Sequence, residues 1–135
     1  MFATSVPGNV TLHDYRVVTR QREPIVHLAI HDRGGNEHDI EAIIDTGFDG
    51  SLTLPSSVIA ALGLTWRRRG RVSLADGSES VCDIFRGHVI WDAIPRRIPV
   101  DTADTVPLIG MSLLDGYELI MRVTDGGDIR ITALP

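Results

Sequence analysis

Turns recur at short intervals along this chain, and the apolar runs between them are too brief for anything but short strands and a helix or two. Ile25–Ile30 reads as a strand closed by the turn Arg33-Gly34-Gly35-Asn36. Ile40–Ile44 is a second strand, ending abruptly at Asp45-Thr46-Gly47. Ser51–Leu54 alternates polar with apolar, the period of a half-buried strand, and Pro55 closes it. One helix is expected next, capped by Ser56 or Ser57, with Val58, Ala61 and Leu62 on one face and Gly63 at its end. Arg71–Leu74 and Ser80–Phe85 flank Asp76-Gly77, a strong short-range hairpin signal. Further strands are expected at 88–91, 98–100, 117–123 and 129–134, with Asp125-Gly126-Gly127-Asp128 as another tight turn. Residues 1–20 show weaker periodicity. The expectation is an all-β, closed barrel-like single domain with one or two short helices. No internal repeat is visible.

The chain has 135 residues, enough for one domain and too few for a second catalytic half. Its 13 Lys and Arg against 18 Asp and Glu leave a net charge of -5, which argues against nucleic acid as the main partner. The basic run Arg67-Arg68-Arg69 with Arg71 reads better as a solvated strand edge. Cys82 is the single cysteine, which excludes an intrachain disulfide and a four-cysteine metal site. His27 and His31 share a strand face but lack a third ligand nearby in sequence, so they read as ordinary surface or core histidines. No apolar run approaches a membrane span, and Met1–Asn9 does not read as a signal peptide, so the expected address is the cytoplasm. No membrane association is expected.

The stretch that carries chemistry is Ala42–Gly50. An acid set where an apolar strand breaks into a Gly-bearing turn is costly to bury unless something hydrogen-bonds it. The triplet alone is weak, arising by chance in about one chain in fifteen of this length. Downstream, Val106-Pro107-Leu108-Ile109-Gly110 offers two bulky apolar residues and a glycine that can pack beneath the Asp45 loop. A strand-end acid, an Asp-Gly hairpin and an apolar-apolar-Gly segment, in that order, are far more specific together than singly.

On Ile43–Gly50, Leu52-Thr53-Leu54-Pro55 and Leu108-Ile109-Gly110-Met111, the chain resembles the retropepsin-like aspartic proteases. It looks closest to the bacterial and archaeal subgroup with Phe after Asp-Thr-Gly. The resemblance covers residues 22–135 as the protease domain and leaves 1–21 as an N-terminal arm. It implies a homodimeric endopeptidase acting on a peptide or protein substrate, with no metal and no cofactor. Asp45 would be catalytic, with Thr46 and Gly47 in the active-site loop. Phe48, Asp49, Asp76 and Gly77 would meet substrate, the last two from a flap, and Leu108, Ile109 and Gly110 would support the loop. Two carboxylates sharing a proton supply the base that activates water and the acid that protonates the carbonyl. One Asp-Thr-Gly per chain means that the second must come from another copy.

Two departures from the wider family matter. Phe48 stands where a hydroxyl residue is common, which implies activity at less acidic pH than in the secreted two-lobed relatives. Met111 stands where the viral enzymes carry an Arg that pairs with the acid matching Asp49; Arg16, Arg20, Arg22, Arg96 and Arg97 are the candidate substitutes. The rival reading is a catalytically weak or inactive peptide-binding or dimerisation module with the same cleft.

Overall fold

The apolar run at Ile25 forms a strand that pairs with three others. The computed structural model describes residues 16–73 and 76–135. β2 (Pro24–His31) pairs antiparallel with β3 (Glu37–Ile44) from Ile25↔Ile43 to His31↔Glu37. A short β1 (Arg16–Val18), from the end of the N-terminal arm, lies on the other side of β2. Val18 also donates its N–H to Gly127 O, which ties this strand to the C-terminal part of the chain. The remainder of the arm, 1–15, lies outside the described residues.

β4 (Leu52–Leu54) is followed by α1 (Ser56–Leu62). β4 is buried throughout, against the expected half-buried alternation. Thr53 is tolerated there because its hydroxyl accepts the N–H of Leu108 at 2.9 Å. The cap of α1 also differs from expectation. Pro55 occupies the N-cap position without a side-chain cap, and the carboxylate of Asp104 instead accepts the Ser56 N–H and hydroxyl, both at 3.0 Å. Ile59 and Leu62 form the buried face, while Ala61 is exposed. Gly63 ends the helix in the left-handed conformation, at φ 67°.

β5 (Thr65–Ser73) and β6 (Glu79–Trp91) form the hairpin around Asp76-Gly77, whose neighbours Leu74 and Ala75 lie outside the described residues. Both strands run well beyond the segments anticipated, and 80–85 and 88–91 are one continuous strand. β6 then turns tightly into β7 (Ile94–Thr102), with Trp91↔Ile94 as the last pair. The two linking residues, Asp92 and Ala93, have φ of 54° and 59°. Such a two-residue turn matches the sheet twist, but a left-handed alanine costs about 1 kcal/mol. Ala93→Gly is therefore expected to stabilise the protein by up to about 1 kcal/mol, read from urea midpoints.

The chain finishes with β8 (Leu108–Ile109), α2 (Met111–Leu114) and the hairpin of β9 (Tyr117–Met121) and β10 (Ile129–Ala133). The main sheet has the order β1-β2-β3-β8-β4-β7-β6-β5, and β6 returns to pair with β2 through Ala29↔Ile90 and Ile30↔Val89. The described chain is thus mostly β with two short helices. Leu28, Ile30, Leu52, Val100, Ile109 and Trp91 are among its fully buried residues. Trp91 meets Tyr117 edge to face, with centroids 6.0 Å apart. Among the described residues no helix is long and apolar enough to cross a membrane.

On the outer face of β2 and β3, histidines pair with carboxylates across the strands: His27 with Asp39, and His31 with Glu37. Among the described residues no three His, Cys, Asp or Glu side chains gather as a metal site. His38 Nε2 lies 2.8 Å from Asp32 Oδ2. That contact, reinforced by the Asn36 N–H, lowers the Asp32 carboxyl from 3.8 to about 2. A carboxyl lowered by folding contributes stability above its unfolded value and loses that contribution as pH falls towards its folded one. Asp32→Asn should therefore flatten the decline in thermal stability between about pH 4 and 2. An unchanged acid limb would exclude this contribution.

Candidate active site

β3 and β4 are consecutive in sequence but are not neighbours in the sheet. β8 lies between them, parallel to β3 (Ile44↔Ile109) and antiparallel to β4 (Leu52↔Ile109). The connection must therefore cross two inter-strand gaps, about 10 Å, over the end of β8. Asp45 stands at its first position and Gly50 near its last.

The backbone of the β8–α2 segment holds this crossing loop. Asp45 N–H donates to Ile109 O at 2.9 Å, Gly110 N–H to Ser51 O at 3.1 Å, Met111 N–H to Phe48 O at 2.8 Å and Ser112 N–H to Gly50 O at 3.1 Å. The Ser112 hydroxyl donates to Asp49 O. Glycine is needed at Gly110 for space, since its φ of -109° is ordinary. A Cβ there would fall 2.7 Å from Phe48 O and closer still to Gly50 O. Gly50 likewise leaves room for the Phe48 ring. Phe48 is half-buried and folds back over these two glycines, packing the inside of the loop.

The Asp45 side chain is half-buried. Oδ1 accepts the Gly47 N–H at 2.9 Å, while Oδ2 has no hydrogen-bond donor among the described residues. Thr46 is exposed beside it, on the rim of a depression of about 430 Å³ lined by Met111, Leu114, Asp115, Gly116, Tyr117, Leu119 and Leu134. Met111 and Leu134 are 48% and 55% exposed, which leaves an apolar surface next to the acid loop.

The structure brings Asp45, Thr46, Gly47, Phe48 and Asp49 together with Leu108, Ile109 and Gly110. It does not join Asp76 and Gly77 to them by any hydrogen bond or ion pair among the described residues. These two form the exposed tip of the β5–β6 hairpin. Gly77 is left-handed at φ 85°. The Ser78 hydroxyl and N–H both donate to Asp76 Oδ1, in that order of strength, and lower its carboxyl.

No ion pair joins Asp49 to Arg20, Arg22, Arg96, Arg97 or the buried Arg16. Its carboxylate instead acts on Asp101, a residue the sequence did not single out. Burial, with a further contribution from Asp49, raises the Asp101 carboxyl, and Arg68 opposes the shift. Asp101 sits close to Gly50 at the end of the acid loop. Its place at the end of the alternating segment Ile98–Asp101 was the available signal. The thiol of Cys82 is also raised, by burial first and then by Asp101 and Asp83, which makes it a poor nucleophile.

The chain is thus mostly β, with an acid loop that straddles an inserted strand. The fold is similar to that of a retropepsin-like aspartic protease from Rickettsia conorii, with a TM-score of 0.55 and 16% identity over 89% of this chain and 90% of that one. At that identity the likeness is one of fold. The sequence matches no protein-family model and no curated protein.

Proposed function

We propose that this chain is a homodimeric aspartic endopeptidase in which two Asp45 carboxylates, one from each copy, activate a water against a peptide carbonyl. The observation that carries this reading is the state of Asp45. One carboxylate oxygen is held by the Gly47 N–H, and the other has no donor among the described residues, in a loop clamped rigidly by β8 and α2. A second copy of the same loop meeting it across a two-fold axis supplies the like-charged neighbour that keeps one proton in the pair. The ionised member takes a proton from water as the other protonates the carbonyl oxygen. The pair titrates as a unit.

In this reading Thr46 joins the two loops through its hydroxyl. Gly47 and Asp49 meet substrate backbone, and the Asp76-Gly77 hairpin closes over an extended peptide. Phe48, packed inside its own loop, shapes the floor rather than a pocket wall. The β2–β6 pairing supports closure of the sheet into a barrel. Residues 22–135 form the protease domain, to which β1 adds a strand from the arm.

The partner copy covers the apolar surface at Thr46, Met111 and Leu134. Leu134→Asp places a charge in that interface without touching the core, because Leu134 is exposed in the single chain. The dimer dissociation constant should rise by about thirtyfold, read by sedimentation equilibrium, with peptide cleavage falling in parallel. A variant that is monomeric and cleaves at the full rate would refute the shared site.

A further inference from the structure

The arginine run of β5 lies on the edge strand of the sheet, and the pairing register shows where its side chains go. Residues opposite one another in antiparallel strands share a face. Arg68, Ile84 and Asp101 therefore stand side by side across β5, β6 and β7, Arg86 stands opposite Pro99, and Arg97 opposite His88. The bulge between Trp66 and Arg68 puts Arg67 out of step with the ladder. Arg67, Arg68, Arg86 and Arg97 consequently ring one groove of about 250 Å³, lined also by Ile84, Phe85, Ile98 and Pro99.

None of these four guanidinium groups makes a close ion pair among the described residues, although the charge of Arg68 acts on the neighbouring Asp101. The nearby Asp83 is engaged by Arg69 and by the Trp66 indole. Desolvation, with repulsion from Arg67 and Arg97, draws the Arg86 guanidinium below its ordinary value. Four like charges held together by strand register, in a chain of net charge -5, form a local field opposite in sign to the whole molecule.

We propose that this groove on the outer face of β5–β7 binds an extended peptide segment in which carboxylates flank an apolar side chain. Guanidinium groups pair with carboxylates in a two-pronged geometry. The groove accommodates one or two side chains, below the roughly 300 Å³ at which ordinary small-molecule pockets begin, and its apolar lining suits the residue between the acids. Nucleic acid fits less well, because the net charge of -5 opposes a polyanion. The face continues along β7 to Asp101, beside the end of the Asp45 loop, about 13 Å from Arg97. A peptide bound here is therefore placed to run towards that loop. The binding itself requires no hydrolysis and stands apart from the protease reading.

The test uses the full chain carrying Asp45→Asn, so that the probe stays intact, and the fluorescence anisotropy of a labelled peptide of alternating Glu and Leu. The peptide is expected to bind, and to bind more weakly as salt is raised. Arg86→Gln with Arg97→Gln should raise its Kd at least about tenfold, whereas Lys at both positions, which keeps the charge but loses the two-pronged contact, should raise it by a smaller factor. Circular dichroism melts confirm that both pairs of variants are folded. Absence of binding overturns the proposal. So does an unchanged Kd in the Gln pair, equal affinity for the matching Lys and Leu peptide, or tighter binding of an oligothymidylate strand.

Discussion

Asp45→Asn is expected to lower peptide cleavage by at least about a thousandfold at every pH from acid to neutral, with fold and dimer intact. Asparagine has nearly the same shape, and its carbonyl oxygen can accept the Gly47 N–H that now holds Asp45 Oδ1 at 2.9 Å. What it lacks is the ability to take a proton from water. The assay is a peptide library cut by wild type and variant in parallel, read by mass spectrometry. Because the proposed site is split between two chains, the variant should also poison the wild type. Mixed with an excess of Asp45→Asn chains, wild-type activity should fall as nearly every dimer comes to contain a defective half. An Asp45→Asn protein that cuts as well as the wild type would end the catalytic reading. A wild type that binds peptides but cleaves none at any pH would favour the rival binding module.

Gly110→Ala should destabilise the fold by about 3 kcal/mol, since overpacking here meets backbone rather than a flexible side chain. The added Cβ would press on the carbonyls of Gly50 and Phe48, and both accept hydrogen bonds that fasten the crossing loop to α2. The loop cannot yield without giving up those bonds. The melting temperature should fall on the order of 10 °C. Gly47→Ala is a useful contrast, since a Cβ at that position meets only Asp45 Oδ1, at 3.2 Å. That change should leave the melt nearly alone while disturbing the carboxylate. If Gly110→Ala melts within about one degree of the wild type, the tight crossing over β8 does not constrain the loop as described.

Several misreadings of the sequence have a physical cause. The β6–β7 turn was not legible because Asp92-Ala93 lacks the glycine that normally marks a left-handed pair of residues. The two strands consequently read as separate short pieces. The alternation of Ser51–Leu54 suggested a wet face, yet Thr53 is buried with its hydroxyl engaged by a residue 55 positions away. The cap of α1 comes from Asp104, 48 positions distant, so the local serines pointed to the wrong cap. In the last two cases a long-range partner settled what local pattern could not.

The chain's own order of residues determined the essentials near at hand. These are a β-rich domain, an acid at the end of an apolar strand, a Gly-marked hairpin, and a single Asp-Thr-Gly motif. Those features depend on side-chain period and on turn chemistry, both properties of neighbouring residues. Only the tertiary structure decided that β8 slides between β3 and β4. That insertion makes the Asp45 loop a bridge, turns Phe48 inward onto Gly50 and Gly110, and brings Asp101 to its end. It alone showed that arginines from three strands share one groove. Such placements rest on strand pairing across tens of residues, where the energy lies in register and packing between segments and leaves no trace in either segment alone.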